Sequence, residues 1–255
     1  MGLSEEAIKY IKEHKKDLIN RFANPEIYKP VKYPDTIFMA GSPGAGKTEF
    51  SKKYIKLAEN SINRAGEINY ENTRYALVRI DADEIRNILP GYDGKNSDAF
   101  QGAASLGVNK LYDYVLKNKI NALIDGTFAQ LKYAEENIKR ALDKNRDIVI
   151  FYVYQDPLIA WDFTKKREEL EGRRVPVDAF VKDFFEAKNN VDKLKLIFKD
   201  TIELNLIKKN YENRVEKIWF DVNAPVDTYI KVDYNPKNLV NAIKKYENIK
   251  KRSKN

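Results

Sequence analysis

The 255-residue chain is 43% hydrophobic and 33% charged, with 46 Lys and Arg against 38 Asp and Glu, no cysteine and one histidine, His14. That length can bury a sizeable core, and without cysteine there are no disulfides and no thiolate metal sites. A single histidine, read as solvated in the lysine-rich "EHKKD", argues against Ser-His-Asp and Cys-His schemes, so a carboxylate is the expected general base.

No apolar run approaches the roughly 20 residues of a membrane span, and "MGLSEEAIKY" lacks the apolar centre of a signal peptide, so no membrane partner and a cytoplasmic location are expected. Of the net charge of +8, +5 falls in residues 244 to 254, leaving +3 for the rest. The basic tail reads as a solvated or frayed end, and charge gives a nucleic-acid partner only weak support.

Residues 4 to 21 form an amphipathic pattern, with Ser4 as the expected N-cap and Glu5 and Glu6 in the first turn. Three prolines in "FANPEIYKPVKYP" end it. Short apolar runs predict strands at 36 to 40, 76 to 80, 121 to 124, 148 to 154 and 215 to 220. Helical patterns lie between them at 47 to 60, 84 to 89, 98 to 118, 132 to 144 and 157 to 171. A long one, broken or continuous, covers 177 to 209, and 236 to 250 closes the chain. Residues 61 to 75 and 91 to 98 read as excursions. Strand and helix in alternation predict an α/β fold with a parallel sheet covered on both faces.

The first strand runs into "GSPGAGKT", which fits G-x-x-x-x-G-K-[ST] and opens a helix. Glycines at these positions let backbone N–H groups turn inward around phosphate oxygens, and the helix N-terminus adds its dipole. Gly41, Ser42, Pro43, Gly44, Ala45, Gly46, Lys47 and Thr48, with Glu49 following, are therefore the expected ATP-binding set. Lys47 is expected at the β- and γ-phosphates and Thr48 on Mg²⁺. No N-K-x-D guanine pattern is present, since "NKLY" and "NKIN" both fail at the last position, which disfavours a GTPase.

Ligands of open α/β sheets bind at the carboxyl ends of the strands. Three predicted strands end respectively in the phosphate loop, in Asp81 and Asp83, and in Asp125 followed by Gly126 and Thr127. Two aspartates one residue apart are tolerated where a divalent cation and a lysine face them. Asp83 is accordingly read as the general base, and Asp81 and Asp125 as holding Mg²⁺ or its waters with Thr48. A competing local reading makes Asp83 the N-cap of "EIRNIL" and Asp81 a turn former. Arg86, one turn on, is placed to hold an anionic part of the acceptor. Downstream, "DFTKKREELEGRRVPVDAF" reads as a basic helical lid hinged at Gly172, in which Arg167 with Arg173 or Arg174 would close over ATP. The aromatics Tyr152, Tyr154, Trp161, Phe163, Phe180, Phe184 and Phe185 lie at core spacing rather than as a stacking platform.

The order of phosphate loop, "IDADEIR", "LP", "LIDGT" and arginine-bearing lid resembles the zeta-toxin family of P-loop kinases over roughly residues 35 to 190. The resemblance implies a three-layer P-loop kinase fold with a central, mostly parallel sheet. It also implies ATP- and Mg²⁺-dependent phosphorylation of a nucleotide sugar, UDP-N-acetylglucosamine, and a cognate antitoxin partner. It puts the family's lysine on Lys47, its catalytic aspartate on Asp83, the proline after it on Pro90, its acidic residue before Gly-Thr on Asp125, and its lid arginines on Arg167 and on Arg173 or Arg174. Thr127 and Asn109 fall among the implied substrate contacts, with one departure: Asn109 stands where the family carries a glutamate. The implied organisation is an N-terminal helix and linker at 1 to 30, then a kinase domain at 31 to 255 with its lid around 162 to 180 and its basic tail at 244 to 255.

The same skeleton is similar to phage polynucleotide 5′-kinases, in which an aspartate and an arginine three residues on act as base and acceptor-phosphate contact; Asp83 and Arg86 have that spacing. A 5′-hydroxyl kinase is thus one alternative, and a nucleotide-dependent binding switch without phosphotransfer another.

Overall fold

A computed structural model describes residues 2 to 64 and 76 to 252. Most of the predicted excursion at 61 to 75 lies outside them. In chain order the elements are α1 (Leu3–Glu13), α2 (Lys15–Phe22), β1 (Asp35–Ala40), α3 (Lys47–Arg64), β2 (Val78–Asp81), α4 (Ala82–Arg86), α5 (Ser97–Lys117), β3 (Ala122–Asp125) and α6 (Leu131–Leu142). Then follow β4 (Asp147–Tyr154), α7 (Pro157–Glu171), α8 (Val177–Phe198), a 3₁₀ turn (Lys199–Thr201), β5 (Glu203–Lys209), β6 (Val215–Trp219), α9 (Val226–Tyr229) and α10 (Pro236–Arg252). The sheet has six strands in the order β2-β3-β1-β4-β5-β6. The β2/β3, β1/β3 and β4/β5 pairs are parallel, and β5/β6 is antiparallel.

The chain divides into two compact units, the first made of Met1–Phe38, Thr48–Gly126 and Ile138–Ile148. Its strands are apolar on both faces, as a covered parallel sheet requires: Ile37, Phe38, Val78, Ile80, Ala122 and Leu123 are all buried. Arg146 fastens the lower edge, donating to Thr36 Oγ1 at 2.5 Å, Ile120 O at 2.6 Å and Asp35 O at 2.7 Å. Burial holds this guanidinium below its usual range.

The N-terminal helix predicted at 4 to 21 is two helices. The break falls at His14, whose ring stacks on Tyr10 at 4.2 Å and whose Nδ1 lies 3.0 Å from Tyr10 O. His14 is therefore half-buried rather than solvated. The cap is Gly2 rather than Ser4, with the Gly2 N–H donating to Glu5 Oε2 at 3.1 Å. Buried Ala7 and Ile11 on α1 face α5, and Gly107 on α5 admits α4, since a Cβ there would meet Ile85 Cγ2 at 2.8 Å.

The second unit comprises Met39–Lys47, Thr127–Asn137 and Val149–Asn255. Its core joins Trp161 of α7 and Phe180, Val181 and Phe184 of α8 to Leu239 and Ile243 of α10. Six of the seven aromatics predicted as core are that: Tyr152, Trp161, Phe180 and Phe184 are buried, and Tyr154 and Phe185 pack against the cluster, whereas Phe163 is half-buried outside it, with Lys166 over its ring. The pattern predicted as helix to 209 ends at Phe198, and residues 203 to 209 are instead a strand paired with β4. Residues 244 to 252 of the expected tail are the last turns of α10, tied back by Trp161 Nε1 donating to Glu247 at 3.1 Å and by the Lys250–Asp162 ion pair.

Candidate active site

In the second unit the phosphate loop runs from Gly41 to Lys47 with Ser42 and Ala45 buried. Gly44 has φ +70, and a Cβ there would lie 2.0 Å from Ala160 O and 2.6 Å from Thr164 Oγ1 of α7. Gly46 has φ +81, and its Cβ would meet Asn213 Oδ1 and Lys209 Nζ, each at 2.5 Å. Left-handed backbone and close neighbours together demand glycine at both. The Gly41 N–H donates to Thr127 O at 3.1 Å, so the segment after β3 anchors the loop through its backbone. Lys47 Nζ donates to Ser42 O at 2.7 Å and Gly41 O at 3.0 Å, curled over the concavity that its own loop makes.

Three groups beside this loop have no counterpart in the sequence reading. Lys209 of β5 is buried and donates to Gly46 O at 3.4 Å. Asn213, in the β5–β6 turn with φ +60, brings its amide oxygen to the same glycine. Asp183 of α8 carries a carboxyl pushed up by burial and drawn back by Lys47, Lys182 and Arg173. That carboxylate therefore feels both the loop lysine and Arg173, one of the arginines predicted for the lid.

Helix α7, which carries the predicted lid residue Arg167, starts at Asp156, whose carboxylate accepts from Leu158 N at 3.0 Å and Ile159 N at 3.2 Å, and stops at Gly172 with φ +75. Of its arginines, Arg167 pairs with Glu171 at 2.7 Å on the exposed face, Arg174 is exposed, and Arg173 is half-buried.

In the first unit the acidic strand ends meet. Register sets Asp81 of β2 directly opposite Asp125 of β3. Arg79 Nη2 bridges them, 2.5 Å from Asp81 Oδ2 and 2.6 Å from Asp125 Oδ2, and Nη1 pairs with Glu84. Ser51 Oγ, on α3, lies 3.1 Å from Asp125 Oδ2 and 3.0 Å from Thr48 O, its one hydroxyl hydrogen within reach of either acceptor, and so joins the first turn of α3 to the end of β3. Burial would lower the Arg79 guanidinium, but Asp81, Asp125 and Glu84 overcome it and hold it above its usual range. Burial first, then Asp125 and Asp83, pushes the Asp81 carboxyl up against the opposing pull of Arg79.

Asp81, not Asp83, caps α4: its Oδ1 accepts from Asp83 N at 2.7 Å. Asp83 is thereby left free of the capping role, and its carboxylate pairs with Arg86. Arg86 is 2% exposed and also donates to Gln101 Oε1, so it is engaged within its own unit rather than displayed. Asn109 stands two turns along α5 from Gln101, half-buried.

Thr48, Asp81 and Asp125 offer the hard oxygens that Mg²⁺ takes, and Mg²⁺ is usually held by one or two carboxylates together with substrate phosphates. Asp81 has both oxygens occupied, by Asp83 N and Arg79, whereas Asp125 is tied through Oδ2 alone in the bonds above. Among the described residues no group of three or more His, Cys, Asp or Glu is placed to hold a metal by itself. The donor set fits an ion that arrives with a nucleotide.

A glycine loop cradling a lysine, ahead of a helix and within a mostly parallel sheet flanked by helices, defines a P-loop nucleotide-binding protein of the kinase-like fold. The chain belongs to the zeta toxin family, whose model matches residues 20–219. The toxin of the PezAT chromosomal toxin-antitoxin system of Streptococcus pneumoniae is similar in structure, with a TM-score of 0.58 at 17% identity, covering 96% of this chain and 97% of that one. The AvrRxo1-ORF1:AvrRxo1-ORF2 structure with sulphate ions gives a TM-score of 0.59 at 13% identity, covering 91% and 73%. The corresponding structure with ATP gives 0.58 at 13% identity, covering 91% and 74%. A comparison with curated proteins found no match. Family membership supports an ATP-dependent, kinase-like function. Among the described residues no helix is long and apolar enough to cross a membrane.

Proposed function

We propose that this protein transfers the γ-phosphoryl group of ATP to a hydroxyl of a nucleotide sugar of the UDP-N-acetylglucosamine kind. The observation that carries the reading is the state of Asp83: its side chain is 25% exposed, its backbone is fixed by the Asp81 cap, and its carboxylate is oriented by a buried arginine. A carboxylate so held can accept the proton of an attacking hydroxyl without first reorganising.

Gly41 to Thr48 would bind the triphosphate through backbone N–H groups, with Glu49 following on the first turn of α3. Lys47 would leave its loop carbonyls for the β- and γ-phosphates. Mg²⁺, when bound, neutralises phosphate charge; Thr48 and Asp125 would hold it or its waters, with Asp81 setting the geometry from behind. Arg173 is the lid arginine that shares Asp183 with Lys47, which supports it over Arg174 as the residue that meets the transferring group; Arg167 would join it by leaving Glu171. Thr127 and Asn109 would contact the acceptor. The ATP-bound relative supports the choice of donor, and the toxin-antitoxin relatives support a cognate antitoxin as partner.

The engagement of Arg86 weighs against the polynucleotide alternative, which needs that guanidinium on the acceptor phosphate. Incubation with γ-labelled ATP and either UDP-N-acetylglucosamine or a 5′-hydroxyl oligonucleotide tests this directly. Label on the sugar nucleotide, lost in Asp83→Asn, is the expected result. Label on the oligonucleotide alone would replace the acceptor, and ATP binding without label on either would count against phosphotransfer.

A further inference from the structure

Asp81 and Asp125 sit in register on neighbouring parallel strands, where like charges directly opposite each other repel. Both are nearly sealed from water, with side chains 10% and 4% exposed. Such a pair stays ionised on both sides only with a positive charge beside it. The chain supplies one from β2 itself: Arg79, two residues before Asp81, has a side chain 10% exposed.

All three guanidinium nitrogens are engaged. Nη2 takes both aspartates, Nη1 takes Glu84, and Nε donates to Ser51 Oγ at 3.2 Å. Ser51 carries the connection on to Thr48 O. One planar cation thus fixes the ends of β2 and β3, the first turn of α4 and the first turn of α3. A guanidinium suits this because its fork is rigid and its charge is not lost at any physiological pH.

We propose that Arg79 is a positioning residue, the built-in counter-cation of the Asp81–Asp125 pair, which keeps both carboxylates aimed without a divalent ion and disfavours binding of free Mg²⁺ until nucleotide brings it. The proposal relies on the phosphotransfer reading only for why these carboxylates matter; the arrangement itself lies within one unit. An ordinary structural ion pair would also stabilise the fold, but it would not set the response to Mg²⁺.

Thermal unfolding without nucleotide or acceptor separates the two. Wild type, Arg79→Gln and Arg79→Lys are each melted with millimolar MgCl₂ and with NaCl at matched ionic strength. The wild-type Tm is expected to be the same in both. Arg79→Gln is expected to melt lower in NaCl and to recover in MgCl₂, rising by about 3 to 6 °C when Mg²⁺ exceeds its Kd roughly tenfold. Arg79→Lys, which keeps the charge but not the fork, is expected to fall between them and gives a reading if the glutamine variant does not fold. An equal Mg²⁺ response in wild type and variants would overturn the proposal. Because the assay contains no ATP, its outcome is independent of label transfer, and either reading can fail alone.

Discussion

Asp83 and Arg86 form an ion pair one turn apart on the five-residue helix α4, with the arginine side chain 3% exposed and the aspartate side chain 25% exposed. The buried partner is the cation and the reachable partner is the carboxylate, which is the polarity a general base requires. Replacing Asp83 by Asn should keep the packing and ATP affinity while lowering kcat by roughly 10² to 10⁴. Single-turnover rates at saturating ATP check this, and equal activity in the variant would remove Asp83 from the role.

Arg86→Ala should be worse for the fold than for nucleotide binding. It takes the buried cation from Asp83 and empties a sealed position, and breaking a buried pair costs about 3 to 5 kcal/mol, less here because Asp83 meets solvent. Denaturant unfolding should register a loss of a few kcal/mol. If stability is unchanged and only oligonucleotide phosphorylation falls, Arg86 is an acceptor contact instead.

Gly44→Ala should abolish nucleotide binding. The new Cβ would lie 2.0 Å from the Ala160 carbonyl of α7, a backbone atom that has no rotamer to give, and left-handed φ adds about 1 to 2 kcal/mol for any other residue. Gly46→Ala meets the ends of two side chains, so it should weaken ATP binding less. Titration with a fluorescent ATP analogue should rank Gly44→Ala below Gly46→Ala, and the reverse order would contradict the packing described for the loop.

Asp183 gives a pH prediction. A carboxyl whose folded value is raised binds its proton more tightly in the native state than in the unfolded chain. Native stability therefore falls as pH rises from the ordinary aspartate value to the raised one, and the penalty persists above it. Asp183→Asn should remove that fall, which urea unfolding across the acid range would show as a flatter profile than wild type. The variant should also bind ATP more tightly, since a carboxylate beside Lys47 repels phosphate.

Leu239 and Ile243 make α10 part of the core, although the sequence around them is among the most basic in the chain. Leu239→Ala should cost about 2 to 5 kcal/mol, read as a lowered Tm with ATP affinity per folded molecule preserved.

The phosphate loop was legible because its chemistry is local: glycine spacing, lysine and helix start are adjacent in sequence. The strands through β4 were legible as apolar runs. β5 was not, because "ELNLIKK" supplies helix-compatible Leu, Ile and Lys, yet the alternation of apolar Ile202, Leu204 and Leu206 with polar Glu203 and Asn205 carried the period-2 signal in the sequence. Arg79 offered a fainter cue, a charge inside an otherwise apolar strand. Which of Asp81 and Asp83 caps α4 depends on where β2 ends, a boundary one residue beyond the apolar run. Lys209, Asn213 and Asp183 reach the loop only through the fold and carry no motif of their own.

In the proposed reaction Asp83 takes the proton of an acceptor hydroxyl while the Gly41–Thr48 loop holds ATP. Transfer of γ-label from ATP to UDP-N-acetylglucosamine by wild type, compared with Asp83→Asn at equal ATP occupancy, tests it most directly. Labelled sugar nucleotide from wild type, with a rate lower by roughly 10² or more in the variant, is the predicted result. Equal rates in the two proteins, or no label on the sugar nucleotide from ATP-loaded wild type, would contradict it.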